Sequence, residues 1–165
     1  GPYRTMAHGD TRLIPLELQE RLLPFRIESF SLRPDSGGAG KFRGGLGFEK
    51  KYRILENCLL QTNLDRTNHP AWGVLGGKDA LPGSVVVVNE ASGEATSQNK
   101  ARGEELKAGE VVILSTGGGG GYGPVEERDL DLLQRDLDEG YITRAAAQDI
   151  YKVTIDEHGR VSRSA

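Results

Sequence analysis

The side chains able to do chemistry are few and scattered. His8-Gly9-Asp10 joins an imidazole to a carboxylate, groups that serve as metal ligands or as a general base, but two residues do not make a metal site. Asp65-Arg66 closes an apolar run and reads as a structural ion pair in preference to a substrate clamp. His69, before Pro70, and His158, before Gly159, fall in loop and turn contexts where an imidazole stays solvated, whereas Trp72 is read as packing on the core. Cys58 stands in an apolar Cys-Leu-Leu-Gln run and reads as a buried, inert thiol rather than a nucleophile. No triad, carboxylate pair or metal constellation emerges.

Backbone chemistry is the stronger signal. The run Gly117 to Gly121, continued by Tyr122-Gly123-Pro124, formally matches G-x-G-x-x-G at Gly118, Gly120 and Gly123, a pattern that cradles pyrophosphate between a strand and a helix. Three features argue against phosphate. No Lys-Ser/Thr follows the glycines, no βαβ pattern precedes them, and Glu126, Glu127 and Asp129 occupy the positive end of the next helix. The glycines read instead as a tight packed turn or a close approach of backbone, including approach to a partner subunit. The earlier run Ser36 to Gly47, with Lys41 and Arg43 inside it, could form an anion nest but is read as a bulged turn between strands.

The elements that must carry these residues are mainly strands. After an extended start, Pro15 opens a short helix over Leu16 to Leu22 that Pro24 ends. Phe25 to Leu32 alternates apolar and polar residues with one break at Glu28-Ser29, the mark of a strand with a bulge. Phe48 to Leu55 and Cys58 to Leu64 read as a hairpin turning at Glu56-Asn57, Val85 to Val88 as a short buried strand, and Ala91 to Gln98 as a polar loop or hairpin tip. Glu110 to Thr116 is the strongest strand pattern. Pro124 to Leu137, with Leu130, Leu133 and Leu137 on one face, reads as a helix stopped at Gly140. Thr143 can cap a second helix over Arg144 to Tyr151, with Ile142 packing back on Ala147. Val153 to Val161 reads as an edge hairpin turning at His158-Gly159, before a frayed end.

The expected fold is therefore α+β: a mainly antiparallel β core with a short N-terminal helix and a C-terminal helical hairpin. One domain over 1–165 is expected, divided into an arm and helix (3–24), a β-rich core (25–116), a helical hairpin (124–151) and a tail (152–165). The 21 basic and 24 acidic residues give a charge of −3, too mild and mixed for a nucleic-acid or anionic-membrane surface. No run approaches the roughly 20 apolar residues of a membrane span, and a lone cysteine fits a reducing cytoplasm. Gly1-Pro2 stands where an initiator Met is usual, which fits a protease scar or the cut end of a longer polypeptide.

Four motifs in order complete the reading: Met6-Ala7-His8-Gly9-Asp10-Thr11, Arg33 to Gly45, Pro70-Ala71-Trp72-Gly73-Val74-Leu75-Gly76-Gly77, and Gly117 to Pro124. Together they resemble the C-terminal region of the hydantoinase B/oxoprolinase family, which includes N-methylhydantoinase B subunits, the C-terminal half of 5-oxoprolinase and acetone carboxylase alpha subunits. The resemblance implies a segment or small split subunit of an ATP-dependent cyclic-amide hydrolase, completing its B subunit. The alternatives are a segment of a ketone carboxylase alpha subunit and a non-catalytic structural or binding module. It implies as partners the N-terminal part of the B subunit and an ATP-binding hydantoinase A-like subunit in a hetero-oligomer. ATP with Mg and a divalent metal are expected in that complex, with none bound by this chain alone. The family's metal motifs lie in the N-terminal part, so no catalytic or metal residue transfers here and the chain alone is not expected to turn over substrate. The candidates for lining a cavity or interface are His8, Asp10, Asp65, Arg66, Trp72, Gly119, Gly120 and Tyr122.

Overall fold

The break in alternation at Glu28 is visible in the backbone. In the computed structural model, which describes residues 14–163, β1 (Phe25–Leu32) pairs antiparallel with β2 (Phe48–Ile54), and the register shifts between Ile27 and Ser29. One extra residue in β1 resets which side chains face inward, as a bulge does. Ahead of it, α1 (Leu16–Leu22) starts with Pro15 at the N-cap, one place before the first helical residue, and buries none of its side chains.

Further strands are β3 (Cys58–Gln61), β4 (Ser84–Asn89), β5 (Glu94–Gln98), β6 (Arg102–Leu106) and β7 (Val111–Ser115). A five-stranded antiparallel sheet has the order β1-β2-β7-β4-β5, so the most apolar strand, β7, lies at its centre. The expected hairpin of Phe48 to Leu55 with Cys58 to Leu64 does not form. β2 pairs with β1 and β7, whereas β3 leaves the sheet and pairs with β6, Cys58 opposite Leu106. The reason is packing: the β3–β6 ribbon covers the sheet, and Ile54, Leu64, Val85, Leu106 and Val112 form a core between them. Ala91 to Gln98 resolves into a turn and β5, the edge strand paired to β4.

Past residue 124 the expected continuous helix is interrupted. A single 3-10 turn at Val125–Glu127 gives way to extended backbone at Arg128, and Asp129 then caps α2 (Leu130–Asp138) by accepting from the amides of Asp131 and Leu132. Gly140 follows in the left-handed region at φ +69, the conformation a helix stop favours. Thr143 caps α3 (Arg144–Asp149) through the Ala146 amide. The hairpin β8 (Thr154–Ile155) with β9 (Val161–Ser162) completes this end. Ile142, Ala147, Leu133, Tyr151 and Val153 form a second core, which also holds Ala39 from the glycine-rich run. The observed architecture is thus the expected mainly antiparallel sheet with a short N-terminal helix and C-terminal helices.

Candidate functional site

Between the two cores lies an array made almost entirely of backbone. Three loop segments meet there: residues 36–47 between β1 and β2, residues 71–78 between β3 and β4, and residues 117–123 after β7. Phe42 and Tyr122 exchange amide-to-carbonyl hydrogen bonds at 2.9 Å in each direction. On its other side the 117–123 segment takes the Val74 amide on the Gly121 carbonyl and gives the Gly123 amide to the Val74 carbonyl, both at 2.9 Å. The Gly119 carbonyl accepts from Gly38 at 2.8 Å. The glycines of this central segment are required by crowding. A Cβ on Gly118 would lie 2.0 Å from the Ser36 carbonyl oxygen, and one on Gly120 would lie 1.9 Å from that of Trp72. None of Gly117 to Gly121 has the left-handed φ that a tight turn would demand. Of the two readings of Gly117 to Gly121, close backbone approach holds and the tight turn does not, and the bulged turn read over Ser36 to Gly47 is replaced by the same close approach.

This packing also weighs against a phosphate cradle. The amides of Gly118, Gly119, Gly121, Tyr122 and Gly123 donate to the carbonyls of Leu81, Gly45, Lys78, Phe42 and Val74 at 2.8–3.2 Å. A phosphate cradle needs free amides converging on one point, and five of the seven amides of residues 117–123 are already donated to carbonyls. Among the described residues no group of three His, Cys, Asp or Glu side chains could hold a metal ion.

A buried ion network clamps the array to the helical end. Asp136 on α2 receives Arg43 from the first glycine-rich run in a two-pronged contact, Nε at 3.0 Å and Nη2 at 3.2 Å, and also receives Arg128 Nη2. Asp136 and Arg128 are each only 5% exposed. The Arg128 guanidinium lies 5.8 Å from the Tyr151 ring centre, and Arg43 lies 5.4 Å from that of Tyr141. Burial pushes the Tyr151 phenol above its ordinary pKa, against the opposing pull of Arg128. Sequence reasoning missed this network. Asp136 sits in a charged helix where an acid is expected to face water, and one of its partners is 93 residues away.

The candidate lining residues divide sharply. Gly119 and Gly120 are inside the array and contribute only backbone. Tyr122 projects from it, its ring 6.2 Å from that of Phe42. Trp72 does not pack on the core as expected: it is 69% exposed, and the Arg66 guanidinium lies 5.7 Å from its ring centre. The Asp65–Arg66 ion pair does not form. Both side chains are exposed on the rim of a shallow depression of about 290 Å³ that Asn63, Leu64, Thr116 and Gly117 complete. His69 and His158 are exposed, whereas His8 and Asp10 lie outside the described residues. The structure thus brings Arg66, Trp72 and Tyr122 to one region and adds Phe42 and Val74, which are exposed beside them. Their alternation with glycines was the available signal.

Cys58 lines a different space, an apolar cavity of about 430 Å³ between α1, the sheet and the β3–β6 ribbon. Burial raises its thiol pKa, which opposes the thiolate needed for nucleophilic work.

Comparison with known proteins adds a family match, two relatives and two solved structures. The model of the hydantoinase B/oxoprolinase family matches residues 3–125. An uncharacterized protein of Methanocaldococcus jannaschii is 38% identical over 86% of this chain and 25% of its own. The caprolactamase subunit beta of Pseudomonas jessenii is 30% identical over 91% of this chain and 26% of its own. The crystal structure of that ATP-dependent caprolactamase superposes with a TM-score of 0.77 at 28% identity, covering 89% of this chain and 26% of the other. A nucleotide-free acetone carboxylase shares the fold at TM-score 0.70 and 21% identity, over 93% and 25%. The chain spans about a quarter of the length of the first of these relatives.

Proposed function

The chain belongs to the hydantoinase B/oxoprolinase family, and on that premise we propose that it is the C-terminal segment, or a small split subunit, of an ATP-dependent cyclic-amide hydrolase of hydantoinase/oxoprolinase type. In this reading it completes the B subunit and its assembly, and the rest of the B-type polypeptide and an ATP-binding A-like subunit supply the chemistry in the cytoplasm. The observation that carries the reading is the glycine array. Five of the seven amides of residues 117–123 donate to backbone carbonyls of neighbouring segments, and a Cβ at Gly118, Gly120 or Gly121 would collide with backbone, so it is built more as a stiff wall than as a catalytic pocket.

ATP with Mg and a divalent metal belong to that assembly, and the residues described here do not fit either group. No three-ligand cluster is present among them, and the loop that resembles a phosphate cradle has given five of its seven amides to carbonyls. Breaking a resonance-stabilised amide has a high barrier, which is why such an assembly would couple it to ATP; that coupling is assigned to the partners.

The amide-hydrolase reading is preferred to the ketone-carboxylase one because the caprolactamase likeness extends to sequence at 28% identity, whereas the acetone carboxylase likeness at 21% speaks for the fold alone. The test is ADP release by the reconstituted assembly. Stimulation by hydantoin, 5-oxoproline or caprolactam supports the reading. Bicarbonate-dependent fixation of acetone transfers the chain to the carboxylase class, and response to neither favours a non-catalytic module.

A further inference from the structure

We propose that the exposed aromatic face carried by the glycine array, formed by Phe42, Tyr122, Val74 and Trp72 with Arg66 at its edge, docks the remainder of a hydantoinase B-type polypeptide through an apolar counter-surface that carries a carboxylate for Arg66. The proposal rests on the reading above and names the surface and partner it requires.

The face is built from the array upward. Phe42 and Tyr122 are bridged antiparallel, and Val74 is bridged parallel to Tyr122 from the other side, so the three side chains form a row. Trp72 stands two residues before Val74 on the same segment, and Arg66 stacks on its ring. Phe42 is 56% exposed and Tyr122 48%. A surface row of large rings in water forfeits the burial that aromatic side chains otherwise gain. Trp, Tyr and Arg are also the residues that dominate binding energy where surfaces meet.

Rigidity strengthens the inference. Ordering flexible side chains and loops on binding costs free energy. Here the backbone beneath the face is already fixed by hydrogen bonds on both flanks of the 117–123 segment. Among the described residues no carboxylate makes a salt bridge to Arg66.

The occupant follows from length. The family match runs through all five residues of the face, and this body makes up only 25–26% of the matched M. jannaschii and caprolactamase chains. The remaining three-quarters of such a polypeptide must meet it somewhere, and this row is the aromatic surface on the glycine array that the family match covers.

The experiment is photo-cross-linking in the native host, with p-benzoylphenylalanine at Phe42 or Tyr122 and, as a control, at Ser92 in the exposed β4–β5 turn. Cross-links from 42 and 122, but not from 92, to hydantoinase B-type sequence outside residues 1–165, on the same or a separate polypeptide, support the proposal. Cross-links to a second copy of this chain, to unrelated proteins, or to nothing overturn it. Trp72 is the sole tryptophan, so a blue shift of its emission on assembly gives an independent readout; an unchanged spectrum in the assembled state also counts against the face. In a further arm, Phe42→Ser with Tyr122→Ser should weaken assembly at least about tenfold while leaving the thermal transition of the chain in place. An active assembly whose cross-links map elsewhere refutes the face and leaves the hydrolase reading standing. Correct cross-links in an assembly that no lactam stimulates refute the hydrolase reading instead.

Discussion

Gly120→Ala is the substitution with the clearest physical consequence. The new methyl carbon would sit 1.9 Å from the Trp72 carbonyl oxygen and 2.6 Å from its carbon, whereas even close carbon–oxygen contacts stay near about 3.3 Å. One segment must therefore move by more than about 1 Å. The hydrogen bonds at risk flank the clash directly: Gly121 to Lys78 and Val74 to Gly121, each 2.9 Å. Losing two or three such bonds, at about 1 kcal/mol net each, with some buried groups left unpaired at about 1–3 kcal/mol, costs about 3–6 kcal/mol. Set against a total stability of about 5–15 kcal/mol, that drops the melting temperature by about 10 °C or more. Gly45→Ala is the internal control. Nothing lies within 4 Å of its would-be Cβ, so the substitution should be neutral or stabilise by about 0.4–1 kcal/mol through the unfolded chain. Gly119→Ala, whose nearest contact is 3.2 Å, should fall between them. Urea unfolding followed by far-UV circular dichroism reads all three. Equal stabilities for the 45 and 120 variants would refute the close-approach account.

Other consequences follow from the ion network and the two cores. Asp136→Asn leaves Arg43 and Arg128 uncompensated in a buried setting, so it should lose about 3–5 kcal/mol by denaturant titration; a loss below about 1 kcal/mol would show the network to be well solvated. The Tyr151 hydroxyl is buried and finds no hydrogen-bond partner among the described residues, so Tyr151→Phe should be neutral or stabilise by about 1 kcal/mol. A clear loss in the same titration would reveal a hidden partner for the hydroxyl. Because burial raises the Cys58 pKa, alkylation of the folded chain should be slower than that of a free thiol at pH 7.5. Its rate should reach half-maximum above the ordinary value of about 8.5. The fold favours the protonated thiol, so this group's contribution is complete below that value and is lost as pH rises through the folded pKa. A rate matching that of a free thiol across the range would place Cys58 in open solvent.

Local patterns were readable from sequence where local physics decides them. The interrupted alternation at Glu28, the apolar β7, the Thr143 cap and the Gly140 stop each depend on neighbours in the chain. The β3–β6 ribbon was not readable, because Cys58 meets Leu106 across a long loop and Arg-Gly-Glu-Glu-Leu has no apolar alternation to announce a strand. The glycine runs showed that side chains are excluded without showing why. A left-handed turn and a crowded extended segment call for the same residue, and only the neighbouring carbonyls separate them. Trp72 was misplaced for a related reason, since an aromatic residue in a loop is ordinarily drawn inward. Its stacking on Arg66 depends on a fold in the loop that no periodicity encodes. Asp136 shows the same limit: its charge is satisfied by residues that only tertiary packing brings near.

The central claim is that this chain completes an ATP-dependent cyclic-amide hydrolase without supplying its catalytic groups. The most direct measurement is lactam-stimulated ADP release by the native assembly with residues 1–165 present and with them deleted. The account predicts stimulation in the first case and its loss in the second, with ATP still bound by the partner subunit. Equal stimulated rates with and without these residues would contradict it.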